Sequence, residues 1–477
     1  MTTPSASASS SGSSGSSAQQ ASDARASVAA RIAEKFGAAN VAADAASLAA
    51  YEVDGMRPAA AVKVGSAEEI AEVLRFAAAE KLAVIPCGGR TKLGIGAPPT
   101  RYDVALDVSR MNRVLAYEPR DLTLGVQPGV GIGDLWSTLA CERQWLPLIS
   151  PFAKQATIGG ILASDSASPL RHAYGGPRDF TLGMEFVTGY GAAAKSGGRV
   201  VKNVSGYDMH KLLIGSLGTL AVITRVNFKT FPFPPSRDVF VAQFKSSGAA
   251  MEFCRAIQRS ALEPRLVEVI SPEAAKIISS GAETPLPLRP DGWSVAIGVA
   301  AHERVVERHA RELAALAAQF KASDFVRLGG EDQSAFLYPM CEFPALVLAA
   351  DPGAAVFRIA ALPATMAALA ERLASTAIGA QLNHATVLRP HGLVILALMN
   401  PRVVAPNAGR FARAAQEVFH ACAEIGAKAR IEWAPVELKR AVNVWGEARP
   451  DFELMRRVKH VFDPGNILSP GRFAGGV

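Results

Sequence analysis

The chain has 477 residues, 49% hydrophobic and 19% charged, with a formal net charge of +7. That balance excludes wholesale disorder, a coiled coil and a collagen-like fibre, and at roughly 150 residues per domain it predicts two to four domains. The longest apolar runs, such as Leu393–Met399, fall short of the roughly 18 residues of a membrane span, and the basic excess is spread without a Lys/Arg block, so neither an integral membrane protein nor a nucleic-acid binder is expected.

In chain order, Met1 to about Ala21 is rich in Ser, Ala and Gly and carries no charge until Asp23. Residues 1–25 are expected to form a disordered tail, because such a segment cannot bury enough surface to offset its ordering entropy. It lacks the basic start and apolar core of a secretory signal, and without early arginines it reads as a plain tail rather than a mitochondrial transit peptide. Ser27 to about Ala50 then reads as helix from Val28, Ile32 and Phe36, giving a helical segment over 26–53. Val62–Val64 reads as a strand, and Ser66 with Glu69 forms a capping box opening a helix through Glu80. Leu82–Pro86, Val104–Leu106, Asp121–Gln127, Met184–Gly189 and Val222–Phe228 read as further strands, densely punctuated by Gly and Pro. Pro232, Pro234 and Pro235 mark a domain boundary. Beyond it, strands at Val239–Phe244, Trp293–Val299, Leu346–Ala349, Gln381–Val387, Leu393–Leu398 and Arg430–Trp433 alternate with Ala-rich helices at His302–Phe320, Ala364–Ser375 and Asn407–Ile425. Open βαββαβ sheets with helices on one face are the natural solution.

The five cysteines, Cys87, Cys141, Cys254, Cys341 and Cys422, are far apart and form no CxxC. Zinc and iron–sulfur sites are therefore not expected, and an odd, sparse set points to a reducing compartment, here the cytoplasm.

The strongest local motif is Pro86-Cys87-Gly88-Gly89-Arg90-Thr91-Lys92-Leu93-Gly94-Ile95-Gly96. A strand enters it, its glycines let backbone N–H groups converge on an anion such as a pyrophosphate, and Arg90 and Lys92 add positive charge. An ordinary glycine-rich turn is the alternative. Gly129-Val130-Gly131-Ile132-Gly133 has Asp134 where a dinucleotide fingerprint needs its third glycine, and Pro128 precedes it, so it is not read as a Rossmann site. Gly189–Ser196 nearly spells a P-loop but is followed by Gly197-Gly198 and Val200-Val201, the pattern of a hairpin. Thr157-Ile158-Gly159-Gly160 is a small-residue turn against which a flat ligand could pack. Val201–Asp208 and Gly215–Thr224 complete the constellation.

Together, "PxGGxTxLxxG" from Pro86, "TIGG" from Thr157, "GRVVKNVxGYD" up to Asp208, "GSLGTLxVIT" from Gly215 and the closing Phe462–Gly471 resemble the FAD-linked oxidase family. These enzymes carry a FAD-binding domain of the vanillyl-alcohol-oxidase/PCMH type, and the wording around Val201–Leu220 is most similar to E subunits of bacterial glycolate oxidase. The resemblance implies an α+β fold: a two-part FAD-binding domain over 54–232, then an α+β cap with an antiparallel ferredoxin-like sheet over 233–477, residues 462–473 returning to the FAD domain. It implies non-covalent FAD, since the first loop holds no His. Its pyrophosphate would be held by Cys87, Gly88, Gly89, Arg90, Thr91 and Lys92. Thr157, Gly159 and Gly160 would line the second turn, and Gly218, Val222 and Ile223 would pack at the cofactor's other end.

Oxidising a 2-hydroxy acid also requires a cation for the carboxylate and help at the hydroxyl. Arg389, His384 and His391 in the cap and Arg171 and His172 in the FAD domain are the candidates, with Tyr174 and Arg178 nearby. A surface or structural role is the alternative for each histidine. His384 and His391 have no acidic neighbour, so no metal cluster is expected. The function implied is the FAD-binding subunit of a glycolate oxidase or dehydrogenase, forming glyoxylate alongside a second flavoprotein subunit and an iron–sulfur subunit, with any membrane association peripheral and through those partners. A stand-alone dehydrogenase of another hydroxy acid or alcohol and a non-catalytic assembly subunit are the alternatives.

Overall fold

The computed structural model describes residues 14–200, 206–401, 408–447 and 450–477. Val201–Ser205, inside the motif ending at Asp208, lies outside the described residues.

Helix Ser14–Phe36 begins well before Ser27, so the tail expected over 1–25 is helical from Ser14 and the helix ends earlier than Ala50. Ala29 and Ile32 anchor it in a core with Ala60, Val62, Ile70 and Leu74. Once that turn is held by packing, each added residue contributes a backbone hydrogen bond at little further entropic cost, which carries the helix back through Ala- and Gln-containing sequence. The capping box exists in modified form. Ser66 Oγ accepts from Glu69 N–H, while Glu69 Oε2 accepts from Gly65 N–H, one residue before the cap.

The N-terminal half contains two larger sheets and a two-stranded one that pairs Gln144–Trp145 with Phe231–Pro232. One runs Val41–Ala42, Ala60–Lys63, Val104–Asp107 and Val84–Cys87, the last three mutually parallel. The other is antiparallel and runs Val114–Glu118, Thr123–Val126, Ala221–Lys229, Thr181–Thr188 and Ala193–Gly197. The near-P-loop at Gly189–Ser196 is the turn and return strand of a hairpin, as its sequence implied.

The C-terminal half is built on one eight-stranded antiparallel sheet. Its first half is Ser236–Phe244, helix Ser247–Arg259, Leu266–Ile270, Trp293–Ala301, helix Glu303–Gln319 and Asp324–Gly329. The second repeats the plan with Ala355–Ala360, helix Met366–Gly379, Asn383–Arg389, Leu393–Met399, helix Ala408–Glu424 and Lys428–Trp433. Each half is a βαββαβ unit, and they join where Leu266–Ile270 pairs with Asn383–Arg389. Those four helices bury one sheet face around Phe240, Phe253, Leu313, Leu373 and Val418. The opposite face is not bare, as helices on one face alone would require. Helices Pro272–Ser280, Gly330–Cys341 and Phe343–Ala350 cover part of it, and FAD-domain residues Trp145, Ile149, Phe152 and Leu170 pack there too. Leu346–Ala349, expected as a strand, therefore lies in a helix. Its apolar run was too short to show a period, and the helix buries Phe343 and Val347, four apart, together with Pro344.

The chain end returns to the FAD domain. Val84 N–H donates to Ile467 O and Ser469 N–H to Val84 O, extending the parallel sheet. This return is locked by Lys459. Its buried ammonium donates to Thr219 O, Leu468 O and Asp463 Oδ2, each at 2.7 Å. Asp463 in turn accepts from Ile467 and Leu468 N–H. Burial lowers the Lys459 pKa, and the Asp463 carboxylate opposes that shift. Lys459→Met should leave the Asp463 charge buried without its cation and cost about 3–5 kcal/mol, read as a lower denaturant midpoint with an unchanged slope.

Candidate cofactor and substrate site

Three backbone segments converge on one cavity. Gly88 and Gly89 are needed for close approach rather than for left-handed backbone: a Cβ on Gly89 would sit 1.8 Å from Gln155 O, and one on Gly88 2.5 Å from Thr157 Oγ1. The first loop is thus pressed against the second. The third segment enters through Gly218, whose φ of +68° and contact with Pro86 favour glycine. Between them lies about 770 Å³ of space, part of it open to solvent. All the residues expected around the cofactor line it: Cys87, Gly88, Gly89, Arg90, Thr91, Lys92, Thr157, Gly159, Gly160, Gly218, Val222 and Ile223. Val108 and Arg472 line it as well and were not singled out by the sequence. Arg472 arrives from the returning chain end. It is buried, and its Nη2 donates to Leu93 O and Ile95 O, holding the glycine loop in place.

The cationic ends of the loop's two basic residues already have partners within the protein, although both residues line the cavity. Arg90 lies 5.0 Å over the Tyr51 ring and 3.3 Å from Asp107 Oδ2. Lys92 Nζ donates to Pro151 O at 2.7 Å and sits 4.9 Å from the Phe152 ring centre, and burial pushes its pKa down to about 8. Cys87 packs with Tyr51, Ile85 and Tyr102, and burial holds its thiol pKa well above the ordinary value, in the unreactive protonated form.

A second, smaller space of about 380 Å³, part of it open to solvent, adjoins the first, lined by Pro151, Ser166, Glu268, Arg389, Glu432 and Trp433 among others. Lys92 lines the first and reaches Pro151 and Trp433 of the second, and Ser164 lines the first while Ser166 lines the second. Arg389 is 3% exposed, and its Nε donates to Glu268 Oε1 at 2.5 Å. Among the described residues, Arg389 Nη1 and Glu268 Oε2 have no hydrogen-bond partner. Burial raises the Glu268 pKa, and Arg389 opposes the shift.

The other candidates divide. His391 lies in the turn after the Asn383–Arg389 strand, its ring centre 6.0 Å from that of His172, and neither of its nitrogens is partnered. Burial first, then Arg389, His172 and Arg171, push its pKa down to about 4. Burial likewise lowers His172. Arg171 Nη1 is 3.8 Å from Asp165 Oδ2, which also receives Arg358 across the domain boundary. His384 is five residues before Arg389 on the same strand and so projects from the opposite face, which removes it from this group. Among the described residues no cluster of three metal-binding side chains occurs.

Residues 58–197 match the family described as "FAD binding domain", and 233–397 with 438–473 match "FAD linked oxidases, C-terminal domain". The chain belongs to the FAD-linked oxidases. FAD is the cofactor of this family, and the cavity fits it in its close-packed glycines and largely apolar lining. Among relatives of this FAD-linked oxidase, glycolate oxidase subunit GlcD of Bacillus subtilis is 25% identical over 87% of this chain and 88% of its own. D-2-hydroxyglutarate dehydrogenase of Xanthomonas citri is 28% identical over 87% and 89%. The likeness to subunit GlcE of Escherichia coli is 33% but spans 35% of this chain and 47% of that one. Among solved structures, p-cresol methylhydroxylase with substrate bound superposes with a TM-score of 0.75 at 16% identity, covering 95% and 97% of the two chains. That neighbour shows the same PCMH-type fold. Among the described residues no helix is long and apolar enough to cross a membrane.

Sequence reading missed Glu268. The signal was present: one acidic residue in Leu-Val-Glu-Val-Ile, a strand buried at every position. It also missed Arg358, whose partners Asp165 and Glu432 lie far away in the chain, and Glu432, which pairs with Arg358 and with its neighbour Arg430.

Gly89→Ala should abolish FAD retention, because its Cβ meets a backbone carbonyl that cannot move without opening both loops. Flavin absorbance per mole of folded protein reads this, and full occupancy would contradict it. For His391 the folded pKa lies below the unfolded value near 6.5, so the unfolded chain takes up the proton first. Its contribution to stability is therefore full above about pH 6.5 and declines as pH falls toward about 4. A ring-proton NMR titration should give a midpoint near 4, and one near 6.5 would refute the burial argument.

Proposed function

We propose that this FAD-linked oxidoreductase oxidises a 2-hydroxy acid to the 2-oxo acid, glycolate being the smallest such substrate. The observation that carries the reading is the pair of unsatisfied atoms in one small cavity beside the cofactor cavity, Arg389 Nη1 and Glu268 Oε2. A buried guanidinium N–H without an acceptor suits a substrate carboxylate, and a buried carboxylate oxygen without a donor suits a substrate hydroxyl. In this reading Arg389 anchors the carboxylate, and Glu268, its pKa raised by burial, accepts the hydroxyl proton. His172 and His391, held neutral, keep additional positive charge out of the neighbourhood. FAD, held non-covalently by the three backbone segments, would supply the two-electron acceptor for the C–H bond. Two relatives that span most of the chain are named for glycolate and D-2-hydroxyglutarate, both 2-hydroxy acids.

The widely separated cysteines, all free, offer no iron–sulfur relay among the described residues. We therefore place the chain in an assembly with a second flavoprotein and an iron–sulfur chain, as the GlcD and GlcE likenesses suggest. A stand-alone dehydrogenase is the second reading, favoured by the likeness to D-2-hydroxyglutarate dehydrogenase over nearly the full length. Co-purification from the source cell separates them: companion chains support the assembly, and an active lone oligomer the second reading.

Arg389→Lys retains the charge and loses the fork, and Glu268→Gln retains the shape and loses the base. Each should keep its FAD. Arg389→Lys should lower kcat/KM for glycolate or D-lactate by about 10- to 150-fold, equivalent to 1.5–3 kcal/mol for a charged hydrogen bond. Glu268→Gln should depress kcat more than KM. Unchanged kinetics in both variants would move the chemistry elsewhere.

A further inference from the structure

A third cavity of about 1460 Å³, part of it open to solvent, lies between the FAD domain and the cap. Trp136, on helix Ile132–Ala140, and Ile149 line it from the FAD domain, and Leu337, on helix Gly330–Cys341, from the cap. Part of the lining is basic. Trp145 contributes an indole Nε1–H that is buried without an acceptor among the described residues. Its ring meets Tyr174 edge-on at 5.3 Å and Phe233 at 6.2 Å. Each of those two rings carries a guanidinium: Arg265 lies 5.6 Å over Tyr174, and Arg237 lies 4.4 Å over Phe233. The two cations are thus each one ring away from the same indole, and both residues line the cavity. They also meet at Ala300, the cross-strand partner of Arg237, whose carbonyl accepts from Arg265 Nε at 3.1 Å.

The carboxylates of the same lining are committed elsewhere. Asp238 pairs with Arg327 at 2.7 Å, and Glu342 accepts from Phe152 and Ala153 N–H at 2.7 and 2.8 Å. Among the described residues neither Arg237 nor Arg265 has an ion pair. A ring face attracts a guanidinium less strongly than a carboxylate does and accepts none of its fork of N–H donors. Two such forks and an orphaned indole N–H therefore offer donors, without acceptors, beside apolar surface. Arg237 is exposed and Arg265 half-buried, so an anion reaches them from solvent.

From this juxtaposition we infer that the interdomain cavity is a second ligand site, for an organic anion with an apolar or aromatic body. The acid group sits among Arg237, Arg265 and the Trp145 N–H, and the body lies against Trp136, Ile149 and Leu337. The site is separate from the smaller space lined by Arg389 and Glu268, from which Cys341 divides it, and the inference does not rest on the reading of that pair. Because both halves of the chain supply its walls, an occupant holds the FAD domain and the cap together. A neutral molecule of the same shape keeps the apolar contacts and loses the charged hydrogen bonds, a difference of about tenfold or more in affinity.

The test is calorimetric titration of the FAD-loaded protein with 4-phenylbutyrate and with its neutral amide, 4-phenylbutyramide. Wild type should bind the acid about tenfold more tightly than the amide, or better. Arg237→Gln and Arg265→Gln, each checked for full flavin content, should weaken the acid about tenfold and the amide less than about twofold. Leu337→Trp fills the apolar part and should weaken both probes. Arg389→Lys should leave both affinities unchanged. Equal affinity of acid and amide for wild type, no binding of the acid, or an affinity ratio unmoved by both arginine substitutions would overturn the inference. Loss of acid binding in Arg389→Lys would also overturn it, by placing the probe in the space beside the cofactor. Two arginines on separate segments guard against one variant that fails to fold, and every one of these failures leaves the 2-hydroxy-acid reading standing.

Discussion

A charge buried in an apolar sheet face persists only if it is paired, and the interface between the two halves of this protein is organised around one such pair. Arg389 and Glu268 project from neighbouring strands, 4% and 1% exposed at the side chain, into a face otherwise lined by Leu266, Ile270, Val387 and Ile395. Their single strong hydrogen bond offsets part of the cost of dehydrating both ions and leaves one donor and one acceptor unsatisfied. An unsatisfied pair of that kind is costly in a structure that does nothing with it. Here it sits where two βαββαβ units meet and where the FAD domain closes over the sheet, so both halves of the chain are needed to build the site. Asp165 and Glu432, tied through Arg358, hold the closure from the FAD side and the cap side respectively.

The cofactor cavity was legible in the sequence because its requirements are backbone requirements. Where two loops pass so closely that Gly89 would drive a Cβ into Gln155 O, only glycine serves, and a run such as Cys87-Gly88-Gly89 announces it. Side-chain roles were less legible. Arg90 and Lys92 read as anion ligands by position, yet each meets an aromatic ring and a protein oxygen first, through contacts with Tyr51, Asp107, Pro151 and Phe152 that spacing does not reveal. His384 looked like a companion of Arg389, and the two-residue period of a strand separates them, an odd offset that could have been counted in advance. Glu268 lay in an apolar run far from any motif. Only the pairing of two strands more than a hundred residues apart makes it Arg389's partner.

The fold shows the same division. The alternation of strands with Ala-rich helices after Pro235 was enough to expect βαββαβ units, because period and length are local properties. The Leu346–Ala349 run failed for lack of length, and the opening helix was under-extended because its stability comes from Ile32 packing on Val62 and Ile70 rather than from the propensity of its first turns. The return of the chain end to Val84 depends on Lys459 and its three acceptors, two of them backbone carbonyls, which no side-chain pattern encodes.

The most direct measurement is a crystal structure of the FAD-loaded protein soaked with oxalate, a planar dianion that stands in for the 2-oxo acid carboxylate without being oxidised. The account predicts one oxalate carboxylate within hydrogen-bond distance of Arg389 Nη1, with Glu268 still on Nε and FAD along the Gly88–Lys92, Thr157–Gly160 and Gly218–Ile223 segments. Oxalate held instead between His172 and His391, with Arg389 Nη1 bonded to protein or solvent alone, would contradict it.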